Sequence, residues 1–139
     1  MFITELFNDP VKISDRRIGP DEYRSTFYVG DVRYSFAANQ FGPNDPWDIE
    51  FIAHSDRGSS AKITGTGNEI TVFSTVVSIM KEFMDLYHPV QLHFTADEPS
   101  RKKLYHRLID KLLKNWIKSF DPEYGIFLLT NPNADTRTV

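Results

Sequence analysis

A glycine turn before a predicted helix is the segment of this chain best suited to bind an anion. Gly65-Thr66-Gly67-Asn68 follows a short apolar segment and precedes the first strongly amphipathic one. The first backbone N–H groups of a helix have no partner within the helix and lie at the positive end of its dipole, so such a turn can hold a phosphate or a carboxylate. The same residues need no ligand if the glycines supply left-handed backbone and Asn68 caps the helix.

Basic side chains are concentrated in the segment 101–118: Arg101, Lys102, Lys103, Arg107, Lys111, Lys114 and Lys118. Positions 103, 107, 111 and 114 fall on one face of a predicted helix. Such a stripe can bind nucleic acid or another anion, or it can be an ordinary solvated face balanced by nearby acids. Because the whole chain has a formal charge of −3, we expect no broad cationic surface and no nucleic-acid partner.

The composition offers little for thiol or metal chemistry. The chain has no cysteine, which excludes disulfides, thiol catalysis and thiolate metal sites. Its four histidines form no i,i+4 pair and accompany no carboxylate motif, so we expect no metal site. No signal peptide is evident at the start, and no apolar run approaches the ~20 residues of a membrane helix. We therefore expect a soluble cytosolic protein that does not contact a membrane.

The first half of the chain predicts short strands. A length of 139 residues with 40% hydrophobic content suits one compact domain. Turn signals interrupt residues 1–25, so we expect that segment to be irregular. Residues 26–37 predict a hairpin around a two-residue Gly-Asp turn. Alternating apolar residues predict a half-buried strand over 47–53, and 61–64 predicts a fourth short strand.

The second half changes to helical periodicity. The spacing predicts a first helix from about Glu69 to Tyr87, stopped by Pro89, with this apolar stripe: Phe73, Val76, Val77, Met80, Phe83, Met84 and Tyr87. Alternation predicts a strand over 90–96. Asp97-Glu98-Pro99 predicts the start of a second helix, with a second stripe: Leu104, Tyr105, Leu108, Ile109, Leu112, Leu113 and Trp116.

A last strand over 125–130 completes the order β-β-β-β-α-β-α-β. This order predicts an antiparallel section followed by a right-handed βαβ crossover, whose two strands are parallel. We therefore predict an α/β protein with a mixed α+β sheet, a single domain over 26–130 and a polar tail over 131–139.

The glycine turn, the element order and the Leu-Tyr pair on the second helix resemble the core of the GNAT N-acyltransferases. The resemblance implies a GNAT-like fold over roughly 26–130, with the pyrophosphate of acetyl-CoA held by four residues: Gly65, Thr66, Gly67 and Asn68. It also implies that Tyr105 protonates the departing thiolate. Glu50, on the polar face of its strand, could deprotonate an amine acceptor through a water. The alternatives are a core role for Tyr105 and a solvated Glu50.

Other features favour a binding role over catalysis. Lys62 and Glu98-Pro99-Ser100 stand where the acyltransferases usually have other residues, and the segments 63–68, 72–76 and 98–105 are similar to small proteins of tailed bacteriophages. We therefore expect a phage accessory or virion protein, in the host cytoplasm or the virion, that uses the fold as a scaffold for a phage or host protein partner. The alternative is an acetyl-CoA-dependent N-acetyltransferase acting on a host protein or a small amine.

Overall fold

The computed structural model describes residues 10–55, 58–60, 69–95, 99–121 and 126–133. These residues form a mixed α+β fold of one sheet and two helices. The strands are β1 (Ile13–Ile18), β2 (Glu22–Val29), β3 (Val32–Gln40), β4 (Trp47–Ser55), β5 (Gly58–Ser60), β6 (Gln91–Thr95), β7 (Ile117–Asp121) and β8 (Ile126–Thr130). The helices are α1 (Glu69–Tyr87) and α2 (Pro99–Leu112).

The sheet is mixed, as predicted. Its strand order is β1-β2-β3-β4-β6-β8-β7, with β5 paired to β4 off this path. The first four strands pair antiparallel, and so do β6 with β8 and β8 with β7. Only β4 and β6, which α1 connects, pair in parallel among the described strands, and their pairing covers Trp47–Ile49 and Leu92–Phe94. The predicted crossover makes the strands before and after α1, 61–64 and 90–96, parallel; residues 61–64 lie outside the described part, and the parallel partner of β6 is β4.

The predicted hairpin is confirmed as β2 and β3. Val29 pairs with Val32, which leaves Gly30 and Asp31 as a two-residue turn. Gly30 has a φ of 62°, and the turns that suit the twist of a two-residue hairpin need such left-handed backbone, which glycine adopts without steric cost. The local sequence therefore determines the register of this pair.

The core lies on one face of the sheet. The buried residues of β4 are Trp47, Ile49, Phe51 and Ala53, which alternate with polar residues as predicted. Directly paired residues point to the same face, so the register carries this buried face across β2, β3, β6 and β8. Both helices pack on it: Phe83 of α1 contacts the ring of Trp47, and Tyr105 of α2 contacts the ring of Phe94. The described residues place no helix on the opposite face, which we call the open face.

The helix α1 follows its prediction closely. It ends at Tyr87, where His88 adopts a left-handed backbone with a φ of 47° and donates its N–H to the Met84 carbonyl at 2.9 Å. All seven stripe residues are buried or pack against the core, and Val72 and Ile79 are buried as well. The buried face is therefore wider than the predicted stripe.

The prediction of an irregular segment over residues 1–25 is wrong for the strands β1 and β2, while residues 1–9 lie outside the described part. Three side chains of α1 hold this region. Thr75 accepts the Val11 N–H at 3.0 Å, the Tyr87 hydroxyl donates to the Gly19 carbonyl at 2.5 Å, and Glu82 binds Arg16 at 3.0 Å. These partners are at least 64 residues apart in sequence, so local turn signals gave no sign of them.

The C-terminal part shows three further differences. The strand β7 was not predicted; its Ile117 and Phe120 are exposed, as suits an edge strand. The predicted strand over 90–96 is shorter in the described residues: β6 runs over Gln91–Thr95, and Val90, which precedes it, is 45% exposed. The helix α2 ends before Trp116, which nevertheless packs against the core from the following turn.

Replacing Phe83 with alanine tests the core face of α1. The Phe83 side chain is fully buried among the rings of Tyr23, Phe36 and Trp47. We expect Phe83→Ala to lower the free energy of unfolding by about 3–5 kcal/mol, as large-to-small core changes do, and Lys81→Ala, on the exposed side, to change it by less than about 0.5 kcal/mol. Urea denaturation measures both, and equally small effects would show that the helix phase is wrong.

Tyr23 makes stability sensitive to alkaline pH. Burial raises its pKa to about 12, and its hydroxyl also donates to Glu82 at 2.6 Å. Because the folded state holds this proton more tightly than the unfolded chain, its stabilisation is complete below about pH 10 and is lost as the pH rises toward 12. We expect the wild type to lose about 1 kcal/mol more than Tyr23→Phe between about pH 9 and pH 11 in urea denaturation. Equal losses would contradict the assignment.

Candidate functional site

Polar side chains from three adjacent strands meet on the open face. Alternation along β2, β3 and β4 points them away from the core. Five of these polar side chains line a cavity of about 240 Å³: Arg24, Arg33, Ser35, Glu50 and His54. Ala37 and Ile52 complete its lining. Arg24 pairs with Ala37, which in turn pairs with Glu50. The small Ala37 side chain therefore leaves a depression between two long charged ones.

The charges in this cavity are only partly neutralised by the protein. Arg24 binds Glu22 through an ion pair of 2.6 Å between Nε and Oε2. Within the described part of the chain, Arg33 and Glu50 have no ion-pair partner. One positive and one negative charge therefore border the same small cavity, and no described side chain forms an ion pair with either.

A serine–histidine pair lies on the same face. Ser35 Oγ is 3.2 Å from His54 Nε2. Burial and the neighbouring Arg33 charge lower the pKa of His54, which favours the neutral imidazole. A neutral ring can accept a hydrogen bond from the serine hydroxyl when its proton is on Nδ1. The pair adds hydrogen-bonding groups to the cavity without adding charge.

A second pair joins β4 to β6. Asp48 and His93 are paired in the parallel register, and their Oδ1 and Nδ1 atoms are 2.8 Å apart. The carboxylate fixes the orientation of the imidazole ring. This pair was not predicted, because the two residues are 45 positions apart in sequence and form no local motif. The alternation placed Asp48 and His93 on the polar faces of their strands, but only the parallel pairing of β4 with β6 in the structure brings the two side chains together.

The two predicted catalytic residues lie on opposite faces of the sheet. Glu50 is exposed on the open face. Tyr105 is buried in the core, where its hydroxyl accepts the Phe51 N–H at 3.2 Å. This contact lies just beyond the last β4–β6 pair, Ile49 with Phe94. The structure therefore does not bring Glu50 and Tyr105 together in one site.

The predicted anion-binding turn, Gly65-Thr66-Gly67-Asn68, lies outside the described residues, as does the predicted strand over 61–64. The first turns of α1 that follow it border a second cavity of about 440 Å³ between the two helices. Its apolar wall includes Phe73, and its basic wall is formed by Arg107 and Lys111. The Arg107 guanidinium lies 4.4 Å from the centroid of the Phe73 ring. Two residues of the predicted basic stripe therefore line a cleft.

Two structural searches were negative for the described residues. No group of three or more histidine, aspartate or glutamate side chains among them is arranged to hold a metal ion. None of the helices in this part of the chain has the length and apolar character needed to cross a membrane.

Comparison with known proteins gives one match. The model of a family of unknown function, DUF6934, matches residues 30–131, which run from the β2–β3 turn to the residue after β8. No curated protein and no solved structure is significantly similar to the chain. Because the match covers more than two thirds of the sequence, the chain belongs to the DUF6934 family, whose function is unknown.

Proposed function

We propose that this chain is a binding protein that uses an acyltransferase-like fold as a scaffold, with the open face of the sheet as its binding surface. The observation that carries the proposal is the separation of Glu50 from Tyr105. A general base and a general acid must reach the same reacting groups, whereas these two side chains lie on opposite sides of β4. Tyr105 is also engaged by Phe51 N–H within the core.

The open face supports the binding role. Its cavity is formed by side chains of three rigid strands, which hold binding groups more firmly than loops do. Arg33 and Glu50 supply charge, and the Ser35–His54 pair supplies hydrogen-bonding groups. A partner with complementary groups would neutralise charges that the described protein leaves exposed to water.

The biological setting belongs to the same proposal. The resemblance of the segments 63–68, 72–76 and 98–105 to small proteins of tailed bacteriophages supports an accessory or virion protein. Its partner would be a phage or host protein, met in the host cytoplasm or in the virion. The GNAT-like part of the proposal draws support from the parallel β4–β6 pair that α1 connects and from Tyr105 on the helix that follows.

An acetyl-CoA-dependent N-acetyltransferase is the second candidate, and two observations favour it. The strands β4 and β6 stop pairing after Ile49 and Phe94. The Tyr105 hydroxyl contacts the backbone of Phe51, the next residue of β4 that points into the core, and so lies close to the place where β4 leaves β6. The cleft between the helices carries Arg107 and Lys111, which could bind the 3′-phosphate of CoA. In that enzyme Tyr105→Phe would spare cofactor binding and lower turnover.

Acetyl-CoA separates the two candidates. We expect no acetyl-CoA-dependent rise in the melting temperature of the wild-type protein and no heat of binding in calorimetry. A bound cofactor at ~100 times its dissociation constant would stabilise the fold by about 2.7 kcal/mol, which a melting experiment detects easily.

Variants identify the site if a shift is found. Gly67→Val would block close approach of the pyrophosphate to the backbone. Arg107→Gln would weaken binding in the cleft, whereas Lys118→Gln, on β7, serves as the matched control. A clear shift with acetyl-CoA that is lost in Gly67→Val and kept in Lys118→Gln would overturn the scaffold proposal and establish the enzyme.

A further inference from the structure

We infer that the cavity on the open face binds a small zwitterion, whose carboxylate contacts Arg33 and whose ammonium group contacts Glu50. The inference rests on the proposed function, because it names the class of ligand for the same surface. It uses only residues of β2, β3 and β4.

The charge pattern is the first argument. On this face Arg24 is compensated by Glu22 at 2.6 Å, whereas Arg33 and Glu50 have no ion-pair partner among the described residues. An anion would satisfy only Arg33, and a cation only Glu50. A ligand that carries both charges satisfies both residues and adds no net charge to the cavity.

The spacing of the two charges limits the ligand. Glu50 pairs with Ala37, and Arg33 lies four residues before Ala37 on the same strand. At about 3.3 Å per residue, the Cα atoms of Arg33 and Ala37 are about 13 Å apart. Both charged side chains nevertheless line one cavity. This spacing suits a ligand whose charges are several bonds apart, such as a short peptide or an ω-amino acid, better than an α-amino acid.

The rest of the lining agrees with such a ligand. The cavity of about 240 Å³ has the volume of roughly eight water molecules, which suits a small molecule. Ser35 lies on β3 between the charged ends, and His54, which pairs with Arg33, lies on β4 at the Arg33 end. Both side chains can hydrogen-bond to polar groups of the ligand. Ala37 and Ile52 give an apolar floor for methylene groups.

Triglycine is a suitable probe, because its ammonium and carboxylate groups lie at opposite ends. Heteronuclear NMR of the full chain would follow the backbone amide signals during titration. We expect saturable shifts that include residues of β3 and β4 at the cavity. N-acetyl-triglycine lacks the ammonium group and triglycine amide lacks the carboxylate, so we expect each to bind about threefold to tenfold more weakly, as the loss of one charge contact implies.

Neutral variants assign each charge. Glu50→Gln should remove the preference for triglycine over N-acetyl-triglycine, and Arg33→Gln should remove the preference for triglycine over triglycine amide. Lys118→Gln and Asp110→Asn, which change exposed charges on β7 and α2, should keep both preferences. If a variant at the cavity does not fold, the three peptides on the wild-type protein still test the inference.

Three results would overturn the inference: the absence of saturable shifts with triglycine, equal binding of the three peptides to the wild-type protein, or preferences that survive in both cavity variants. Each of these results leaves the scaffold proposal standing if acetyl-CoA also fails to bind. Conversely, acetyl-CoA binding that depends on Gly67 would refute the scaffold proposal, whatever the peptides do.

Discussion

The packing of α1 onto one face of the antiparallel strands is the constraint on which the rest of the structure depends. Phe83 is surrounded by the rings of Tyr23, Phe36, Trp47 and Tyr87. These rings come from three strands and from α1 itself, so the contact fixes the helix over β2, β3 and β4. Because α1 is rich in β-branched residues, which are poor helix formers, this burial stabilises the helix more than its propensity does.

The same packing determines which face is available to a ligand. With the large apolar residues of β2, β3 and β4 turned toward the helices, their polar partners in the alternation must point the other way. Glu50 and Arg33 are therefore placed on the open face by the same register that buries Phe51 and Tyr34. Tyr105 belongs to the buried side, where it accepts an N–H group at the point where β4 leaves β6. The same strand register therefore determines both which residues form the core and which residues form the candidate site.

The sequence predicted the elements whose signals are local. The hairpin at Gly30, the alternation in β4 and the periodicity of α1 each lie within one segment, and all three are confirmed. The strands β1 and β7 were missed because they are edge strands: the residues of β1 are mostly exposed, and those of β7 are exposed where described. They have no strong apolar alternation, and pairing with a neighbour decides their conformation.

The candidate site was less predictable for the same reason. Glu50 was identified from its type and its strand phase, but its neighbours Arg33 and Ser35 come from another strand, and only the register shows that they share a cavity with it. The Asp48–His93 pair joins residues 45 positions apart, so it needed the parallel pairing of β4 with β6. The role expected for Tyr105 came from resemblance, and residue type alone could not say which side of the sheet its hydroxyl would occupy.

The most direct test of the claim that only one face of the sheet is buried is the accessibility of engineered cysteines. The natural chain has no cysteine to interfere. Glu50→Cys reports on the open face and Ala38→Cys on the buried face, where Ala38 is fully buried. The account predicts that a maleimide labels Cys at position 50 in the native protein about as fast as a free thiol, and labels Cys at position 38 only when the chain unfolds. Protection at position 50, or rapid native labelling at position 38 in a variant that remains folded, would contradict it.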